Sequence, residues 1–262
     1  MPSKKTVEQE YPDIQCRSKL ANVEILFQDE HIIVIDKPSG MDSVRGLYSY
    51  NCILDYLEEK LSGLNAPIRV IHRLDRDTSG LMILAKTEEA QRQLMQQWQE
   101  HSVEKVYLAI VRGFVSPEQG IIDMPLAKTD KRSKPVAVDL RRGKQAITEY
   151  HLINQFREYA LVQAKLQTGR MHQIRVHFAS RGFPILCDSH YGTKEPLFLS
   201  HFKKGYKPSY RKRQEKPLIS RLALHSHKLT FNHPKTGQRV TFEKKPPKDF
   251  MSAINQLGKF GC

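Results

Sequence analysis

The sequence predicts an α+β fold built on a mainly antiparallel mixed sheet. Three observations carry this reading. Apolar β-rich runs outnumber helix-periodic segments, short turns join most of them, and neither a Gly-x-Gly-x-x-Gly fingerprint nor a phosphate-binding Gly-Lys-Ser/Thr loop occurs. The last removes the dinucleotide-binding and P-loop enzyme classes. At 262 residues the chain has room for one or two domains. We expect a polar arm over residues 1–20 and one folded unit over residues 21–262.

The elements follow in order. Val23–Phe27 and His31–Asp36 are β-rich runs separated by Gln-Asp-Glu, the pattern of a hairpin, and Lys37-Pro38-Ser39-Gly40 supplies turn residues. Ile53, Leu54, Leu57 and Leu61 recur at helical spacing, so a helix is expected over Asn51–Leu61. Arg69-Val70-Ile71 and Leu81–Ala85 read as strands that hold a polar loop, His72–Gly80, between them. Thr87 is the expected N-cap of a helix whose Ala90, Leu94, Met95 and Trp98 form one apolar face, read as core. Lys105–Val111 alternates as a strand, with Tyr107, Ala109 and Val111 on one face. Lys128–Lys144 reads as a basic connection, and Thr148–Gln155 with Ala160–Leu166 as a strand pair. Thr168-Gly169-Arg170 is expected to open a helix with Met171, Ile174 and Phe178 buried, stopped at Arg181-Gly182. His201–Lys216 reads as a basic insert, and Leu222–Phe231 and Gln238–Glu243 as late strands.

Charge narrows the partner. The chain carries 42 Lys+Arg against 28 Asp+Glu, a net +14. Folding does not require such an excess, and a polyanion, RNA or DNA, accounts for it. Cys16, Cys52, Cys187 and Cys262 are far apart with no Cys-x-x-Cys pair, so neither a zinc ribbon nor a disulfide framework is expected, and a reducing cytoplasmic setting fits. The first sixteen residues lack the apolar segment of a signal peptide, and no run approaches a membrane span.

Few residues could do chemistry. Asp75 and Asp77 lie among His72, Arg73 and Arg76 on the loop between two strands. Neighbouring cations favour the charged form of a carboxylate, which could serve as nucleophile or base. The same pattern fits surface ion pairs or a turn cap around Thr78-Ser79-Gly80. In Thr168–His177, His172 and Arg175 are three apart and share a helical surface, and Arg170 at the expected helix start suits phosphate. A solvated basic face would look the same. The chain has no His-Glu-x-x-His zinc motif, Gly-x-Ser-x-Gly elbow, zinc-deaminase pattern or dense carboxylate cluster.

These residues also form a familiar series. His72-Arg73-Leu74-Asp75-Arg76-Asp77-Thr78-Ser79-Gly80 resembles the HRLDxxTSG signature of the RluA family of RNA pseudouridine synthases. In chain order, Asp29–Gly40 is similar to the family's early strand and KPSG turn, and Lys105-Val106-Tyr107-Leu108-Ala109 with Gly113 to its KxYxAxVxG strand. Gly143–Tyr150 is similar to GKxAxTxY, Thr168–His177 to TGRxHQIRVH, and Arg221–His225 to RLxLH, with Ser226 where alanine is usual. Together these span roughly Val23 to Phe250.

The resemblance implies a curved sheet crossed by a catalytic cleft and flanked by helices and loops. It implies that Asp75 is the essential carboxylate, that Tyr107 packs against the target base, and that Arg175 pairs with Asp75. Arg73 would fill the space the base leaves in the RNA. Arg170, His172 and Gln173 would shape the RNA-facing wall, with Lys37 and Thr78 as further RNA contacts. It implies a monomer acting on ribosomal or transfer RNA. The S4 RNA-binding module that many members carry is not expected in the short arm, so the insert residues Lys203, Lys204, Arg211, Lys212 and Arg213 become a candidate RNA clamp.

Pseudouridine formation breaks the N1–C1′ bond of uridine and rejoins the uracil through C5. Nothing is oxidised and no group is added, so no redox or energy cofactor is expected. Asp75 could attack C1′, attack C6, or remove a sugar proton. A silent RNA binder and a base-cleaving RNA glycosidase are the competing readings.

Overall fold

The protein is described by a computed structural model over residues 23–46, 52–61, 67–206 and 215–261. The expected arm, Asn51 at the start of the first expected helix, and Arg211, Lys212 and Arg213 of the insert lie outside these residues. The elements run β1 (Glu24–Gln28), β2 (Ile32–Lys37), α1 (Ile53–Lys60), β3 (Arg69–Val70), β4 (Ser79–Ala85), α2 (Glu88–Gln99), β5 (Glu104–Arg112) and β6 (Gln119–Asp123). They continue with β7 (Leu126–Lys128), β8 (Val136–Val138), β9 (Ile147–Phe156), β10 (Tyr159–Leu166), α3 (Gln173–Ser180), a 3-10 turn at Leu199–His201, β11 (Leu224–Asn232), β12 (Arg239–Glu243) and α4 (Lys248–Phe260).

One ten-stranded sheet organises the described residues, in the order β1-β2-β4-β11-β5-β10-β9-β6, with β3 added to β4 and β12 to β11. Every pairing in it is antiparallel except β4 with β11, which is parallel. The sheet is therefore mixed and mainly antiparallel, as the sequence predicts. Alternation along β2 and β4 divides their side chains between two cores. Ile33, Ile35, Met82 and Leu84 join the larger one, with Ile53 and Leu57 of α1, Phe178 of α3 and Phe250, Ala253 and Leu257 of α4. Ile32, Val34, Leu81 and Ile83 join the other, under Ala90 and Leu94 of α2. Both faces are covered, which is why these strands read as unbroken apolar runs.

Local signals explain several boundaries. The β1–β2 turn forms because the Asp29 carboxylate accepts from the backbone N–H of His31 (2.7 Å) and Ile32 (2.8 Å). Thr87 caps α2 as expected, its hydroxyl accepting from Ala90 N–H at 3.1 Å. The expected core face of α2 is narrower than its spacing suggests: Met95 is exposed, while Trp98 packs half-buried against the core and stacks on His72 at 4.8 Å. The basic connection starts at the last residue of β7 and contains β8, the antiparallel partner of that strand. The helix expected from Thr168 begins only at Gln173, because His172 adopts a left-handed backbone (φ 53°, ψ 21°) that α-helix cannot include. β6 and α4 had no counterpart in the sequence reading.

Gly80 is required where β4 meets β11. Its φ is +110°, and a Cβ there would lie 2.3 Å from the Ser226 carbonyl oxygen. Close approach lets Ser79 and Gly80 pair with His225 and Ser226. Below them, Ser79 Oγ lies 3.0 Å from His225 Nδ1, while His225 Nε2 donates to the Lys244 carbonyl at 3.0 Å. Gly80→Ala is expected to lower unfolding free energy by more than about 1 kcal/mol, the loss that follows when the native backbone is incompatible with a side chain. Urea titration of both proteins measures it.

Candidate active site

The loop between β3 and β4 is clamped from behind by the end of β2 and the segment that follows it. Lys37 Nζ donates to the carbonyls of Pro38 (3.0 Å), Met41 (2.7 Å) and Arg76 (2.9 Å). Ser39 Oγ donates to Asp77 O at 2.7 Å, and Ser43 Oγ donates to Leu74 O at 2.8 Å. Gly40 N–H donates to Arg76 O at 2.9 Å. Residues on both sides of Asp75 are thereby tied to a second chain segment. This corrects one expectation: Lys37 is fully buried with its ammonium engaged on backbone oxygens, so it cannot meet RNA.

Asp75 stands on the clamped loop at the wall of a cleft of about 670 Å³. Its Oδ2 lies 3.2 Å from Arg175 Nη1 on α3. Arg175 is itself gripped from the other side: its Nε and Nη2 donate to the two oxygens of Asp188, each at 2.8 Å. Asp188 is fully buried and also accepts from the backbone N–H of His190 (2.9 Å) and Tyr191 (3.2 Å). Burial alone would disfavour the charge on Arg175, but the bonds and charge of Asp188, with Asp75 added, hold its pKa above the ordinary value. Burial likewise opposes ionisation of Asp188, and Arg175 and the two amides overcome it, holding the carboxyl below its usual 3.8. The fork-to-fork geometry fixes the guanidinium plane.

His172 completes the surroundings of Asp75. Its Nε2 is 3.9 Å from Asp75 Oδ2, and its Nδ1 is 2.9 Å from the Tyr191 hydroxyl. That hydroxyl accepts from Val136 N–H at 3.1 Å. Burial pushes the Tyr191 phenol up to about 12, so it keeps its proton. Each proton finds a partner when Tyr191 donates to Nδ1 and the ring hydrogen sits on Nε2, facing Asp75. Burial lowers the His172 pKa further than Asp75 raises it, which favours the neutral ring. The left-handed backbone of His172 costs about 1–3 kcal/mol, and contacts with Tyr191 and the stacked His190 ring (5.8 Å) hold it.

Tyr107 lines the same cleft from β5 and is 7% exposed. Burial, with Asp75 assisting, pushes its phenol above the usual range, and a hydrogen bond with Ser226 opposes them. Arg73 and Arg170 are exposed on the cleft wall, Arg170 Nε donating to Gln145 O at 3.0 Å. Arg170 lies ahead of α3, not at its start, so the expected helix-terminus phosphate site does not form. Gln173 lines the cleft, but its amide donates to Ile147 O and Thr148 Oγ1 (both 3.0 Å) and accepts from Thr168 Oγ1 (2.8 Å) and Arg170 N–H (2.9 Å). It braces the wall and has no free group for RNA. Thr78 is buried at the cleft with Oγ1 unpartnered. Lys203 and Lys204 are not among the cleft residues; Lys203 Nζ sits 4.3 Å from the Phe260 ring centroid. Among the described residues no group of three or more His, Cys, Asp or Glu is placed to hold a metal ion.

The sequence profile of the family described as RNA pseudouridylate synthase matches residues 31–180. Ribosomal large subunit pseudouridine synthase D of Zymomonas mobilis is 37% identical over 243 residues, 90% of this chain and 73% of that protein. The dual-specificity RNA pseudouridine synthase RluA of Salmonella typhi is 37% identical over 227 residues, 86% of this chain and 93% of its own. The chain belongs to the RNA pseudouridylate synthase family. The solved structure of human RNA pseudouridylate synthase domain containing 4 matches this synthase with a TM-score of 0.69 at 26% identity, covering 89% of this chain and 92% of that one. The reaction is the isomerisation of uridine to pseudouridine in RNA. No described helix is long and apolar enough to cross a membrane.

Two residues of the synthase's site escaped the sequence reading. Asp188 and Tyr191 lie in Cys187-Asp188-Ser189-His190-Tyr191, which has no helical or strand periodicity. The only available signal was a lone Asp directly after an apolar stretch, Phe183–Cys187. Asp188→Asn removes the charge that Arg175 is buried against, and uncompensated buried charge typically costs about 3–5 kcal/mol. Denaturant unfolding at neutral pH should register that loss. Because the folded pKa is depressed, the carboxylate's stabilisation is present above 3.8 and disappears as pH falls through the lower folded value. The gap between wild type and Asn variant should close in that acid range.

Proposed function

We propose that the protein modifies uridines in ribosomal or transfer RNA, with Asp75 as the catalytic carboxylate, Arg175 as its positioning partner and Tyr107 as the ring that receives the base. The observation that carries this is the Asp75–Arg175 contact of 3.2 Å in a cleft that Tyr107 also lines. Ribosomal RNA is favoured by the large-subunit name of the Zymomonas relative, and a wider range by the dual-specificity name of the Salmonella one. The synthase works as a single catalytic unit and a monomer in the cytoplasm, a setting that suits the free buried thiols of Cys52 and Cys187.

The chemistry follows from the arrangement. Uridine leaves the base stack at a cost of a few kcal/mol, and stacking on an aromatic ring returns about 1–3 kcal/mol. Tyr107 offers that ring, and the exposed Arg73 and Arg170 offer charge for the phosphates. Asp75 acts at C1′, at C6 or on a sugar proton. In each route the N1–C1′ bond breaks, the C5–C1′ bond forms, and the C5 hydrogen leaves while N1 gains a proton. Arg175 keeps the carboxylate aimed throughout, and the Nε2–H of His172 faces the same oxygen.

Loss of the C5 hydrogen makes the reaction measurable. RNA labelled with tritium at uridine C5 should release it to water with wild type, while Asp75→Ala binds the RNA and releases none. Release by Asp75→Ala at the wild-type rate would reject the assigned role, and free uracil on chromatography would indicate a glycosidase. Pseudouridine mapping in a strain lacking the gene names the target. Replacing Lys203 and Lys204 by alanine should weaken RNA affinity while leaving the rate at saturating RNA near wild type. Equal affinity at several salt concentrations would remove the clamp role.

A further inference from the structure

Lys105 is the cation of the cleft for which neither the fold nor the reaction has yet supplied a use. It sits on β5 two residues before Tyr107, so both side chains leave the same face of the strand and both line the cleft. It is 6% exposed, yet among the described residues its ammonium has no hydrogen bond and no carboxylate partner within 4.0 Å. The other buried cations around Asp75 are matched: Lys37 by three carbonyls, and Arg175 by two carboxylates.

A charge largely removed from water without a counterion is costly to keep. Burial alone accounts for the depressed pKa of Lys105, about 8, which leaves it mostly charged near neutrality. Lys105 shares the cleft lining with His72, where burial first and the Lys105 charge second hold the His72 pKa below its ordinary value. There the His72–Trp98 stack, rings 4.8 Å apart, forms a wall of the cleft.

We propose that the Lys105 ammonium takes a non-bridging phosphate oxygen of the bound RNA strand at the His72–Trp98 end of the cleft. The inference rests on RNA binding in the Asp75 cleft. A phosphate supplies the full negative charge the site lacks, whereas a uracil carbonyl supplies only a dipole. Two residues of strand place Lys105 about 7 Å from Tyr107 along β5, a separation that the backbone of one nucleotide can bridge. The base held at Tyr107 and a phosphate held at Lys105 would then belong to the same short stretch of RNA. Lys105 would be a binding residue that sets the register of the strand, not a participant at the glycosidic bond.

The test uses an unmodified transcript of large-subunit ribosomal RNA, with wild type, Lys105→Met and Lys105→Arg. Affinity is measured from about 50 to 200 mM salt, and C5 tritium release is followed as RNA is raised toward saturation. Loss of one phosphate contact should flatten the slope of log affinity against log salt by about 0.7–0.9, and weaken binding on the order of tenfold at the low-salt end. Lys105→Arg should restore the slope, and the deficit of Lys105→Met in tritium release should shrink as RNA is raised toward saturation. Lys105→Gln replaces the methionine variant if circular dichroism finds the latter unfolded. An unchanged slope and affinity in the folded neutral variant would overturn the proposal. So would unaltered binding with collapsed tritium release, which would place Lys105 at the departing uracil. A wild type that binds the transcript but releases no tritium would instead count against the proposed substrate, and the slope comparison would still decide Lys105.

Discussion

A guanidinium can face a reactive carboxylate inside a protein only if something else holds it in place, and here Asp188 does so. Its two oxygens engage Nε and Nη2 of Arg175, which leaves Nη1 directed at Asp75. The backbone amides of His190 and Tyr191 fix Asp188 in turn. A buried pair of this kind contributes little net stability over an apolar replacement, because desolvation offsets most of the attraction. Its value lies in geometry. Arg175 reaches Asp75 from α3 while the Asp75 loop is held by Lys37, Ser39 and Ser43 from the opposite side.

Cooperation between distant segments explains what could be read from the sequence and what could not. The β1–β2 hairpin, the α2 cap and the alternation of β2 and β4 are local patterns, and each was legible. So were the motifs that carry Asp75, Tyr107 and Arg175, which the fold brings to one cleft. Lys37 was misjudged because charge is visible in a sequence and burial is not; nothing in Lys-Pro-Ser-Gly reveals three carbonyls waiting for an ammonium. The start of α3 was misplaced because Thr168-Gly169-Arg170 resembles a helix opening, while the left-handed turn at His172 is stabilised by Tyr191, nineteen residues away. α4 is a different kind of omission. Phe250, Ala253 and Leu257 recur at helical spacing after Pro246-Pro247, so its signal was present and local.

The cleft also illustrates how lysines and arginines of one basic protein divide between tasks. Arg73 and Arg170 remain exposed where a polyanion can reach them. Arg175 and Lys37 are internal, and their charge organises backbone and carboxylates. A net charge of +14 therefore overstates the number of groups available to RNA.

The order of strands has a consequence for when the site can exist. The Asp75 loop leads into β4 and Tyr107 belongs to β5, yet these two strands are not neighbours; β11, residues Leu224–Asn232, lies between them. Until the ribosome has delivered that late segment, the two halves of the cleft have no common support, and Gly80 has no backbone to meet. A nascent chain holding every catalytic side chain but not yet β11 would be inert.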